Sequence, residues 1–152
     1  MIAFDRDGAR FNYRVGAVAL REGSVLLQSA TNMDFWVLPG GRVELLESAE
    51  SALSREIYEE LGVEPRIDRL VWLNENFFRL HGVAYHELGL YFLVDLPLSV
   101  PFDSPFYLSE PTGQLVFRWF PLGDLPAVKP PFLCTALLDL PTAPMHVIQR
   151  DL

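Results

Sequence analysis

The segment from Pro39 to Pro65 constrains this chain more than any other, because backbone breaks bracket a helix that carries its acids on the wrong face. Pro39-Gly40-Gly41 suits a backbone that turns sharply and passes close to a neighbour. A helix is expected from Glu47 or Ser48 to Leu61, with Ser48 as its N-cap and Gly62 as a left-handed stop. Pro65 forbids its continuation. Advancing about 100° per residue, Ala52, Leu53, Ile57 and Leu61 form one broad apolar stripe. Glu56 and Glu60 fall inside that stripe and Glu59 on its shoulder, whereas Ser51, Ser54 and Tyr58 take the opposite side.

Solvated glutamates belong on that opposite side. Removing a bare carboxylate from water costs more than a hydrophobic contact returns, and crowding like charges adds to the cost. A positive group should therefore sit against this face. Spacings of three and four residues bring the carboxylates onto one surface, close enough to share a metal. Hard oxygen donors, with no thiol or histidine cluster beside them, suit Mg²⁺, with Mn²⁺ able to substitute, better than Zn²⁺. Arg55 can reach Glu59 or the acidic loop before the helix. The bland alternative is a surface helix with ordinary ion pairs.

Around this helix the pattern is mostly strand. Tyr13 to Leu20 and Ser24 to Ser29 read as a hairpin closed by Arg21-Glu22-Gly23, and Phe35 to Leu38 as a short strand. Arg66 to Leu73, Phe77 to Leu80, Ala84 to Asp95 and Leu115 to Phe120 also read as sheet, with a bend at Asn74-Glu75-Asn76 and a turn at His81-Gly82. Pro97 to Pro111 holds four prolines and reads as a loop; Phe132 to Leu140 reads as a short helix; the last dozen residues show no clear element. Strands before and after one well-formed helix point to a mixed α/β or α+β fold. Regular βα alternation is lacking, which disfavours a doubly wound parallel sheet.

With 152 residues, half of them apolar, the chain suits a single domain spanning 1–152 with a real core. Twenty acids against twelve bases give a formal charge of −8. A field of that sign repels phosphate polymers and argues against nucleic acid as a partner, whereas a small phosphorylated ligand is compatible with it because a bound cation inverts the local charge. The one cysteine, Cys134, sits in an apolar run and is expected to be a buried, inert thiol. Neither a signal-peptide core nor an apolar run of membrane-spanning length is visible, so a soluble cytoplasmic protein with no membrane partner is expected.

Taken together, Gly41, Glu47, Arg55, Glu56, Ile57, Glu59, Glu60, Gly62 and Val63 fill every defining position of a Gly, five residues, Glu, seven residues, Arg-Glu-apolar-x-Glu-Glu-x-Gly-apolar pattern. This segment resembles the signature box of the Nudix (MutT-like) hydrolases, and Trp36-Val37-Leu38-Pro39-Gly40 resembles the usual approach to it. The box covers about a sixth of the chain. The resemblance implies an α/β/α sandwich around a mixed sheet and Mg²⁺-dependent cleavage of a phosphoanhydride in a small nucleotide-like substrate. That substrate would be a nucleoside diphosphate linked to another moiety or a nucleoside triphosphate. It makes Glu56, Glu59 and Glu60 the metal-binding and catalytic set, with Arg55 and Glu47 a supporting ion pair and Gly41 and Gly62 shaping the ends. Glu56 could instead orient or deprotonate the attacking water.

Relatives often recruit one more acid outside the box, for which Glu87 and Glu110 are the candidates, with Glu44 a further possibility. Arg14 and Arg42 are best placed to meet distal phosphates or a sugar, ahead of Arg79, Arg118 and Lys129. Phe35, Phe77, Phe78 and Tyr85 are available to stack on a planar group. His86, beside Glu87, is weighed against a purely structural histidine. A homodimer is compatible with the composition. Two other readings stay open: a non-catalytic nucleotide-binding or interaction domain on the same fold, and a protein that uses the metal only structurally.

Overall fold

A computed structural model describes residues 1–111 and 113–152. In chain order the elements are β1 (Ala3–Arg6), β2 (Ala9–Arg21), β3 (Ser24–Ala30), β4 (Gly40–Arg42), α1 (Ala49–Leu61), β5 (Arg66–Leu80), β6 (Val83–Asp95), β7 (Phe106–Glu110), β8 (Gly113–Pro121), α2 (Leu133–Ala136) and β9 (Met145–Asp151). The main path of the sheet runs β7-β8-β3-β2-β6-β5-β9, with β1 and β4 attached to β2. β2 pairs parallel with β6, from Ala9 opposite Ala84 to Ala19 opposite Val94, and β9 pairs parallel with β5. The remaining pairings are antiparallel. The sheet is therefore mixed, as expected.

Strand alternation on β2 assigns the two cores. Val15, Ala17 and Ala19 pack with Ala52, Leu53 and Ile57 of α1, whereas Val18 faces the other way, into a cluster with Val71, Trp72 and Leu133 of α2. Helices thus cover both faces. The pairing of β2 with β3 is confined to Leu20–Val25 and Arg21–Ser24, at the tight hairpin. There Glu22 and Gly23 both take positive φ, the type I′ geometry that suits the right-handed twist of the flanking strands. Beyond that hairpin the middle of β2 turns to β4 instead, with Arg14 opposite Arg42 and Gly16 opposite Gly40. The sheet is consequently open between β2 and β3, and the opening becomes the important cleft.

Some expectations are corrected. Pro97 to Pro111 is not all loop: Phe106–Glu110 forms β7, whose Phe106 ring stacks on Phe117 of β8 at 5.2 Å. Its flanking prolines hid a strand whose partner lies further along the chain. Asn74-Glu75-Asn76 is no bend; it lies within one long β5, and the register slips occur nearer its start, around Asp68 and Val71. Phe35 to Leu38 makes only isolated bridges, Trp36 with Val128 and Val37 with Gln28. The late helix shrinks to Leu133–Ala136, and the unassigned tail supplies β9. Cys134 is exposed rather than buried, because α2 turns Leu133 and Leu137 inward.

Candidate active site

α1 begins as its sequence requires. The Ser48 side chain accepts from the Ser51 amide at 3.1 Å, and the helix ends where Gly62, at φ 69°, donates to the Tyr58 carbonyl at 2.9 Å. Ala52, Leu53 and Ile57 are fully buried and Tyr58 is exposed, so the apolar stripe faces the core. The acids follow the order of their angular positions. Glu56 is 17% exposed along its side chain and Glu59 57%. Glu60 goes deepest: its Oε2 is buried and has no hydrogen-bond partner among the described residues.

Arg55 organises the outer part of this face. Its Nε and Nη2 donate to the two oxygens of Glu47 at 2.8 and 2.9 Å, a bidentate clamp. Its Nη1 reaches Glu56 at 2.9 Å and Glu59 at 3.4 Å, and Nη2 also donates to the Arg42 carbonyl at 3.1 Å. The clamp holds the Glu47 carboxyl down at about 2. Glu56 goes the other way, raised chiefly by burial although Arg55 opposes the rise. Glu60 is pushed up to about 8, first by burial, with Arg14 pulling it down and Glu56, Glu110 and Glu59 adding repulsion.

Gly41 explains how Glu56 fits. A Cβ built there would stand 2.2 Å from the Glu56 carboxyl carbon, an impossible contact. The strand is bare at this point so that a carboxylate can lie against it.

The acids are near one another but not gathered into a ready ligand set: among the described residues no three His, Cys, Asp or Glu side chains converge on one point. Arg55 holds Glu56 and Glu59, which is how a crowded acidic face neutralises itself in part without a cation. The donor set nevertheless fits a small hard dication. It consists of carboxylate oxygens only, and Glu60 keeps a buried oxygen that no donor among the described residues satisfies.

A cavity of about 280 Å³ lies beside this face, in the opening between β2 and β3. Arg14, Arg42, Phe35 and Tyr85, the four residues expected to bind substrate, all line it. Arg14 belongs to both regions, for its charge also acts on Glu56 and Glu60. Glu87, expected to join the acids at the metal, lines this cavity instead and accepts from the Asn12 amide nitrogen at 2.6 Å. Glu110, the other candidate, is the outlying acid whose charge is felt at Glu60. Of the remaining candidates, Phe78 and Lys129 line the cavity, while His86 stacks on Phe77 at 4.5 Å.

Sequence reasoning passed over Asn12, Gln28 and Asn76, all buried and all facing the cavity. One signal was available for Asn12: it stands two residues before Arg14, on the same face of a strand.

The comparisons with known proteins agree with this architecture. A family model described as NUDIX domain matches residues 10–135. Diphosphoinositol polyphosphate phosphohydrolase 2 of Rattus norvegicus is 40% identical over 89 residues, covering 56% of this chain and 49% of that protein. An RNA pyrophosphohydrolase of a Psychrobacter species is 27% identical over 150 residues, covering 90% of this chain and 86% of that protein. The chain spans about half the length, or less, of the first curated relatives it matches. Among solved structures, an ADP-ribose pyrophosphatase from Streptococcus suis shares the fold with a TM-score of 0.62 at 20% identity, covering 91% of this chain and 98% of that one.

Proposed function

The chain belongs to the NUDIX domain family, and from that premise we propose that it is a Mg²⁺-dependent pyrophosphohydrolase. Its substrate is a small nucleotide-like molecule, either a nucleoside diphosphate linked to another moiety or a nucleoside triphosphate. Family members generally use a divalent metal ion. The observation that carries the reading is the unsatisfied, buried Glu60 beside Glu56 and Glu59, next to a cavity that Arg14 joins to those acids. β1 and β9 lie outside the matched segment yet pair into the same sheet, which supports taking residues 1–152 as one unit.

Glu59 and Glu60 are assigned to hold the cation, with Glu56 as a further ligand or as the group that orients and deprotonates water. Bound there, the cation supplies positive charge that offsets the phosphoryl oxygens and favours an attacking hydroxide. Glu56, held at 2.9 Å by Arg55 at the rim of the acidic face, is the group assigned to take the proton. Arg55 and Glu47 fix the outer edge of the acidic face, and Gly41 leaves the room that Glu56 occupies. Arg14 and Arg42, which line the cavity, are assigned to the substrate's phosphates, and Phe35 and Tyr85, which also line it, to the planar part. Water attacks one phosphorus in line, and the bridging oxygen leaves with the other phosphate.

The test is a panel of nucleoside triphosphates, nucleotide sugars and dinucleotide polyphosphates, incubated with Mg²⁺ or with EDTA, with products separated by chromatography. Cleavage at the anhydride with Mg²⁺ alone, lost in Glu60→Gln, is the expected result. Tight binding without any product would favour a non-catalytic binding domain. Sedimentation at two protein concentrations tests the expected homodimer, and fractionation of cells the expected cytoplasmic location. Among the described residues no helix is long and apolar enough to cross a membrane.

A further inference from the structure

Three buried polar side chains form a rung across the cavity wall. Asn12 of β2 stands opposite Glu87 of β6, and Glu87 opposite Asn76 of β5; all three line the cavity. Asn12 is 2% exposed, Asn76 5% and Glu87 9%. A carboxylate can only accept, so the Asn12 bond to Glu87 must use the amide nitrogen. That leaves the Asn12 oxygen over, and it is buried with no partner among the described residues. Across the opening, Gln28 of β3 also keeps a buried side-chain oxygen without a partner among the described residues. Buried acceptors are normally satisfied, so these oxygens ask for N–H donors from something in the cavity.

The neighbouring rung on the same face is aromatic. Phe78 stands opposite Tyr85, and their rings stack at 4.9 Å and 7°. Along β2 the next residue on the cavity face after Asn12 is Arg14, about 7 Å further on by ordinary strand rise. Arg14 leads to the acids of α1. The cavity therefore offers hydrogen-bond acceptors and flat rings on neighbouring rungs, and beyond them a cation, Arg14, whose charge reaches the acids of α1.

Resting on the pyrophosphohydrolase reading, we propose that this cavity selects a purine whose ring N–H lies beside an exocyclic amine, a guanine-type edge, and that Asn12, Glu87 and Gln28 read it. Such an edge presents adjacent donors to the Asn12 oxygen and to Glu87. Adenine places a ring acceptor beside its amine, which would face those lone pairs, and uracil offers a single ring donor. A polyphosphorylated inositol, the substrate class in the name of one relative, meets too little positive charge here. Lys129 is paired with Asp151 at 3.2 Å, which leaves Arg14 and Arg42 in a cavity that also holds the Glu87 carboxyl.

Calorimetric titration of the full chain in EDTA with GMP, IMP, AMP, UMP and inositol hexakisphosphate tests the assignment without requiring turnover. GMP should bind at least about tenfold more tightly than AMP and UMP, with IMP between, because a site of acceptors waiting for ligand N–H groups rejects analogues that lack them. Asn12→Ala should bring GMP down to the affinity of AMP while leaving AMP unchanged; Gln28→Ala serves as the second variant should Asn12→Ala fail to fold. Equal affinities for the four nucleotides, no GMP binding at millimolar concentration, or inositol hexakisphosphate binding tightest would overturn the proposal. None of those results bears on whether an anhydride is cleaved, although tightest binding by inositol hexakisphosphate would also overturn the nucleotide-like substrate. Conversely, selective GMP binding with no anhydride cleaved would sink the enzymatic reading and leave the pocket.

Discussion

The acidic face of α1 and the cavity beside β2 both bury polar atoms without partners among the described residues, but the cost is of different kinds. On α1 the unsatisfied atom belongs to a carboxyl crowded by other carboxyls, and burial pushes it up to about 8. In the cavity the leftover atom on Asn12 is a neutral amide oxygen, and the neighbouring carboxylate already accepts a hydrogen bond. The first region is under electrostatic stress until a cation arrives; the second is preformed and lacks only its ligand's donors. Substitutions on the helix should therefore change chemistry and metal-linked stability, whereas substitutions in the cavity should change which ligand is held.

The largest effect should come from Glu60→Gln. Losing this carboxylate should lower kcat by about 10²–10⁴-fold, measured in steady state with Mg²⁺, while the metal-free protein gains about 3 °C in Tm near neutral pH, because the buried carboxyl no longer has to take up a proton on folding. An active variant, or one that loses stability without metal, would break the contrast between the two regions. Gly41→Ala comes next. A methyl 2.2 Å from the Glu56 carboxyl carbon must displace it, so activity should fall by about tenfold or more, with nucleotide affinity in EDTA little altered. Equal losses in both would mean that the cavity and the helix are one mechanical unit.

The pH dependence sharpens the comparison. Glu60 holds its proton more tightly in the folded state, at about 8 against an ordinary 4.5. The folded chain therefore binds more protons than the unfolded chain within that window, and metal-free stability should fall as pH rises through it. Below the window both states are protonated, and above it the full cost is present. Mg²⁺ favours the ionised form, so the Tm gain it confers should grow from about pH 6 to about pH 9 and vanish in Glu60→Gln. A Mg²⁺ gain independent of pH would separate the cation from Glu60. Glu47 behaves oppositely: clamped by Arg55 and held at about 2, it stabilises the fold above the ordinary carboxylate range, and that contribution disappears as pH falls toward 2.

The smallest effect should be at Cys134. It is exposed and belongs to neither region, so alkylation should be fast in the native state and leave turnover and Tm unchanged. Slow labelling would restore the buried thiol that the sequence suggested.

How much was legible follows from range along the chain. The α1 acids, Arg55, Ser48 and Gly62 could be read in advance, since helix geometry ties positions three and four apart to one face and both ends carry local capping signals. β7 and β9 escaped because neither makes sense without its partner: Phe106–Glu110 is a strand only against β8, and the last strand only against β5. Arg14, Arg42, Phe35 and Tyr85 were named one at a time by residue type, but nothing local said that they share one cavity. Glu87 was sent to the metal for the same reason, since its closest polar partner, Asn12, is 75 residues away.

By itself, then, the sequence determined the family and the acidic helix, which depend on patterns within one short segment, and the mixed fold class, which follows from the local pattern of each element in turn. Only the tertiary structure decided that β2 and β6 run parallel, that β2 and β3 part beyond their hairpin, and that Asn12, Glu87 and Asn76 form one rung. Strand pairing joins residues at any separation along the chain, and a shift of one residue in register would turn each of those side chains to the opposite face.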